Sequence, residues 1–155
     1  MRTPFAVLIV LAFAKLCWSA VDPVFDDKQA DEFAQLALEN FWGRAVDEAG
    51  KPLQPKDATE RKTLPIPKSD ARRIAHAGVP AGLAVWAELE WKPYYLAFMQ
   101  KERRSGRWSQ KQIAFIGVLF GVAQGTSEKA FSEHRRDEEH RAWAKQILEE
   151  AQKNL

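Results

Sequence analysis

The sequence predicts an all-α fold, an irregular bundle of about six helices with a proline-rich loop at about 47–67 after the first helix. Three observations carry this reading. Apolar residues recur three and four apart along most of the chain. No stretch sustains the apolar/polar alternation of a half-buried strand. Capping and breaking residues return at short intervals and cut the chain into helix-length pieces.

The first helix is expected over 26–45. Asp26, Asp27, Asp31 and Glu32 crowd its start, where negative charge suits the helix dipole. Phe33, Leu36, Ala37 and Phe41 follow at helical spacing. Pro52, Pro55, Pro65 and Pro67 then argue against regular structure over 47–67, because proline fixes φ and removes a donor. Ser69 is expected to cap a short helix that ends at Gly78. Pro80 opens a segment reaching Trp91, and Pro93 opens another that runs to about Arg104 and stops at Gly106. Ser109 and Gln112 form a capping box for a helix ending near Gly125. Thr126 or Ser127 starts the last helix, which runs nearly to Leu155.

Within this scheme one helix looks central. Ile113 to Ala123 are all apolar or glycine, which predicts burial on every side. Ala114, Gly117, Gly121 and Gly125 fall on one stripe, where small side chains let a neighbouring helix approach closely. The alternative for that stripe is a ligand groove floored by Gly117 and Gly121.

The first twenty residues differ in kind from the rest. Arg2 precedes an unbroken apolar run from Phe5 to Ala14, and Cys17, Ser19 and Ala20 supply small residues behind it. Charge, apolar core and small-residue exit in that order describe a signal peptide over 1–20, with cleavage after Ser19 placing small residues at both critical positions. The run is about half the roughly 20 residues that a membrane-spanning helix needs. Residues 21–155 are then a single helical domain in the periplasm or outside the cell, with no transmembrane helix after cleavage. Cys17 is the only cysteine, so the exported part relies on its apolar core rather than on disulfides.

The formal charge of +2 misstates the exported part. Without Arg2 and Lys15, the 23 basic residues become 21, against 21 acidic ones. Neutrality argues against a nucleic-acid partner. The charges are nonetheless polarised: Asp22 to Glu60 hold ten acids and four bases, and Arg61 to Lys111 hold eleven bases and four acids. Two readings follow, an internal match between two layers or a basic surface that faces a partner.

Candidate site residues come from four patterns. Trp91 and Trp108 sit at helix ends beside the basic run of Lys101, Arg103, Arg104 and Arg107, a combination suited to partner binding. Tyr94, Tyr95, Phe98 and Met99 share one face and read as core. Glu133, Asp137 and His140 recur at i, i+4 and i+7, so on a continuous helix they would point the same way. A carboxylate three before a histidine is half of a di-metal bundle motif, but no second copy is present, and a salt-bridged histidine at the core edge fits as well. Glu90, on the side of Trp86 and Leu83, is the one carboxylate placed to act as a buried general acid, and His140 the other catalytic candidate. No cofactor motif and no nucleophile turn is present. The expected function is therefore non-enzymatic: binding another envelope or secreted protein, as an inhibitor, immunity factor or envelope accessory would. A carrier of a small apolar ligand and a hydrolase acting on an envelope substrate are the alternatives.

Overall fold

The computed structural model describes residues 25–155, so the signal peptide expected over 1–20 lies outside the described residues. Among the described residues six helices form: α1 (Asp27–Glu39), α2 (Ala58–Lys62), α3 (Lys68–Trp86), α4 (Lys92–Arg104), α5 (Gln110–Phe131) and α6 (Glu138–Lys153). The only β pairing among the described residues is an isolated antiparallel bridge between Val46 and Pro52. The all-α class and the helix number match the sequence reading, but the number is reached differently. The helices expected over 69–78 and 80–91 are one helix, α3, which passes through Gly78 and Pro80. The helix expected to end near Gly125 continues to Phe131, and the last helix starts behind Asp137 instead of Thr126 or Ser127. The sixth helix, α2, lies inside the proline-rich loop.

Tertiary packing explains the continuity of α3. A Cβ added at Gly78 would stand 2.6 Å from the carbonyl oxygen of Phe120 and 2.7 Å from the Ala123 Cβ. One added at Gly82 would strike the Gln124 carbonyl and the Ser127 Cβ. Two glycines four apart on α3 therefore let its backbone lie almost directly on that of α5, whose facing residues, Ala123 and Ser127, are also small. Residues 78 and 82 meet residues 120–123 and 124–127, so the two helices run in the same direction. Pro80 deprives the preceding turn of a helical donor. In that turn the Ala77 carbonyl accepts a 2.8 Å bond from the buried Tyr94 hydroxyl, whose pKa burial pushes up to about 12.

The small-residue stripe on α5 is not where the close contact occurs. Gly121 and Gly125 are exposed, and a Cβ at either would meet nothing within 4 Å. The expectation that Ile113–Ala123 is buried all round is therefore corrected. Phe115, Ile116, Leu119, Phe120 and Ala123 are buried, whereas Ala114, Gly117, Val118 and Val122 are only partly covered.

The polarised charges are matched internally between α1 and α3. Asp31 accepts from Arg72 Nε at 2.8 Å and Nη2 at 2.9 Å and pairs with Lys68 at 2.9 Å, while Arg72 also reaches Asp27. The Arg72 hydrogen bonds, followed by Lys68, hold the Asp31 carboxyl well below the usual carboxylate range. The proline-rich strap is packed down as well. Ile66 is buried, Leu53 and Leu64 lie on the core, Lys111 pairs with Glu60 at 2.6 Å, and the Gln112 side chain donates to the Pro65 carbonyl. Gln112 simultaneously completes the expected capping box with Ser109.

The far end of α3 closes without a glycine. Glu88 takes φ +56°, while the Leu89 and Glu88 amides bond back to the carbonyls of Ala84 and Val85. This is the left-handed helix stop that glycine usually supplies. Arg136, from the α5–α6 connection, holds the corner by donating to the Trp86 carbonyl and pairing with Glu88 at 2.6 Å. Trp86, Val79, Leu83, Phe131 and Ala144 form a second apolar cluster there, covered by Trp143 and Ile147.

Opposite signs are expected for glycine-to-alanine changes in the two places. Gly78→Ala and Gly82→Ala overpack the α3–α5 contact and should each destabilise by about 1–3 kcal/mol. Gly121→Ala should stabilise by roughly 0.5–1 kcal/mol, since it fills open space in a helix interior. Urea unfolding of the three variants measures this; a uniform sign across them would contradict the packing described.

Candidate functional site

Helix α4 carries Pro93 in its first turn and has two dissimilar sides. Tyr94, Phe98, Met99 and Glu102 are buried, and Tyr95 is half-buried against Phe120. Glu102 is 4% exposed, an unusual place for a carboxylate, and its partners explain it. Arg73 donates to both oxygens at 2.7 and 3.1 Å, and the Trp108 indole N–H donates at 2.8 Å. Burial pushes the Glu102 carboxyl up, but Arg73 and Trp108 outweigh it and the net shift is downward. Asp70 extends the network to Arg73 and, at 3.1 Å, to Arg107, whose guanidinium lies 4.5 Å over the Trp108 ring.

Two of the residues expected to face a partner are thus occupied within the protein. Trp108 is half-buried and hydrogen-bonded, and Arg107 is paired with Asp70. Trp91 is also half-buried, with its ring 6.1 Å from that of Tyr95. The remaining cations of the run differ: Lys101, Arg103 and Arg104 are exposed, with no acid within ion-pairing distance among the described residues. Around the same outer side of α4, Lys92, Pro93, Ala97 and Gln100 are exposed, and Leu96 is 63% exposed.

Beside α4 lies a groove of about 870 Å³. Its walls are Tyr95, Met99 and Arg103 of α4, the α5 residues from Gln110 to Val118 that face it, and a small hairpin over 45–53. The hairpin is tied by Leu53 donating to Ala45 and Asp47 donating to Lys51, with Gly50 at φ +76° in the turn. The Asp47 carboxylate is used inside that turn, accepting from the Ala49 and Lys51 amides. Gly117 lines the groove as the glycine-floor reading expects, while Gly121, one turn further, does not.

The other candidates separate. Glu133 lies in the connection after α5, and Asp137 caps α6, so Glu133, Asp137 and His140 do not share one continuous helix. Asp137 accepts from the His140 amide at 3.0 Å and contacts its Nδ1 at 2.6 Å; the amide bond first, then the ring contact, lowers the Asp137 pKa. His140 also stands edge-on to Trp86, at 6.2 Å between ring centres. No group of three or more ligating side chains suited to a metal occurs among the described residues. Glu90 is exposed beyond the end of α3 and accepts from the Lys92 amide, so it is not set in an apolar wall. The sequence reading missed Glu102, Arg73 and Asp70. A signal existed: Glu102 is four after Phe98 and three after Met99, on the stripe already read as core.

Comparison with protein-family models, with curated proteins and with solved structures finds no match.

Acid should act through Glu102. Its carboxyl is depressed in the fold, so its contribution is complete above the ordinary value of 4.5 and is lost as pH falls through the folded value. Glu102→Ala is expected to destabilise at neutral pH by about 2 kcal/mol, between the values for exposed and fully buried pairs. That difference should shrink as pH drops below 4.5. Unfolding curves across the acid range test it; a constant gap between wild type and variant would remove the ionised pair as its cause.

Proposed function

We propose that the protein is an exported, non-enzymatic binding factor that docks another envelope or secreted protein on the outer side of α4. The observation that carries this reading is the setting of Leu96. It is the most exposed large apolar side chain among the described residues, and it shares α4 with the exposed cations Lys92, Lys101, Arg103 and Arg104, while the one acid of that helix, Glu102, is buried. An exposed apolar anchor on a helix with exposed cations suits a partner surface that carries an apolar recess and acidic side chains. Charge on the partner steers encounter, and the leucine holds the complex once water is excluded.

Proximity labelling from a photoreactive residue at position 96, in the exported protein in its own compartment, identifies what touches this surface. A single acidic partner is expected, labelled in proportion to its abundance and lost at high salt. The double variant Lys101→Glu, Arg104→Glu should reduce labelling by roughly tenfold, about 1.4 kcal/mol. It should leave folding nearly intact: neither side chain is in an ion pair among the described residues, Lys101 adds only a longer-range attraction to Glu102, and exposed charges at a helix end contribute less than about 1 kcal/mol. Labelling that is diffuse, or unchanged by the reversal, counts against the proposal.

A further inference from the structure

We infer that Glu102 is the catch of an acid-released latch: a proton on its carboxylate frees the last turn of α4 and the connection to α5 from α3, while the rest of the bundle stays folded. The inference starts from how little else holds that stretch. Every residue from Arg103 to Gln110 is exposed except Trp108, which is half-buried against the core. Three polar ties reach α3 from here. Arg73 grips the Glu102 carboxylate, the Trp108 indole donates to that same carboxylate, and Arg107 pairs with Asp70. The other bonds are local: the Ser105 hydroxyl donates to the Glu102 carbonyl and accepts from the Arg107 amide, and Ser109 caps α5. One buried carboxylate thus takes part in two of the three ties.

The first end of α4 is fastened differently. Tyr94 is buried and its hydroxyl donates to the Ala77 carbonyl, a bond between groups that do not titrate in acid. Phe98 and Met99 then anchor the middle of the helix in the core. Helix α4 therefore has a fixed end and an end that depends on one ionised group. Local opening of the second end, with the core intact, needs only the loss of those few ties.

A carboxylate is also an unexpected choice at position 102. It is buried, and it lies near the C-terminus of a helix, where the dipole disfavours negative charge. Apolar side chains often replace a buried ion pair with little loss of stability, so stability alone does not call for one. What the pair adds is dependence on a proton. With Glu102 ionised, Glu102 and Asp70 balance Arg73 and Arg107. Protonation leaves Asp70 alone against both guanidiniums. Lys101, which attracts the ionised Glu102 at longer range, then adds to the repulsion, as do Arg103 and Arg104 of the same turn. From the first turn of α5, Lys111 is engaged by Glu60. Because the Glu102 carboxyl is depressed in the fold, the release falls below its ordinary value of 4.5. Lys101, Arg103 and Arg104 ride on the freed stretch, so acid also displaces part of the docking side of α4; that consequence rests on the docking proposed above, whereas the latch itself does not.

An NMR titration of the exported protein alone, from neutral pH into acid, tests the latch. The Trp108 indole N–H signal, identified as the one missing from Trp108→Phe, should move together with the amides of 103–109. Their common midpoint should lie below 4.5. Amides of Leu83, Ile116 and Ala123, in the core, should keep their native positions through that midpoint. Glu102→Gln fills the same space without titrating and should show no such transition. Asp70→Asn leaves Glu102 in place but removes a neighbouring negative charge, so it should keep the transition and move it to lower pH. Core amides that move at the same midpoint, or a Trp108 signal that stays in place until the whole bundle unfolds, overturn the inference. So does a transition that survives in Glu102→Gln or is lost in Asp70→Asn.

Discussion

The contact between α3 and α5 constrains everything else in this fold. Two helices lie together with glycine on one and alanine or serine on the other, so their backbones, not their side chains, set the separation. Such a contact tolerates no added atom, and it is strong enough in context to carry a helix straight through Gly78 and Pro80. Each of those residues alone favours a break. Ser127, buried in the contact, is satisfied locally by donating to the Ala123 carbonyl.

Parallel packing of α3 and α5 has a topological consequence. The chain must travel back from the end of α3 to the beginning of α5, and α4 is that return path. It is joined to α3 by the glutamate-based turn at Glu88 and to α5 by the turn at Gly106. Tyr94, Phe98 and Met99 hold it to the core, and the Glu102–Arg73 pair fastens its last turn to α3. A return helix fixed along one side leaves its opposite side free, which is why Leu96 and its cations face outward. The groove lies on the same helix, lined by α4, α5 and the hairpin, with Gly117 among its lining residues.

Electrostatics divides the basic half of the chain into two populations. Arg72, Lys68 and Lys111 find acids of the acidic half, and Arg73 and Arg107 find Asp70 and Glu102. These pairs stitch layers together, and the desolvated ones among them need every partner they have. Lys101, Arg103 and Arg104 stand outside that scheme on the last turn of α4, where the helix dipole favours cations without fixing where they point. The internal match between layers therefore accounts for part of the charge asymmetry, and these three cations lie outside it.

The sequence by itself determined the helical class, the capping box of Ser109 and Gln112, the start of α4 at Pro93, the core stripe of α4 and the position of the proline-rich strap. Each is a local property: a dihedral preference, a side chain within reach of its own backbone, or a period of side chains along one helix. Only the tertiary structure decided that α3 is continuous, that Gly78 and Gly82 rather than Gly121 and Gly125 make the close contact, and that Trp108 is pinned to a buried Glu102. It also parted Glu133 from Asp137 and His140, by ending α5 at Phe131 and starting α6 behind Asp137. The Gly78–Gly82 spacing was legible, but Pro80 between them reads locally as a boundary. Whether a glycine ends a helix or admits a neighbour depends on what stands across from it, and that is set by residues some forty positions away.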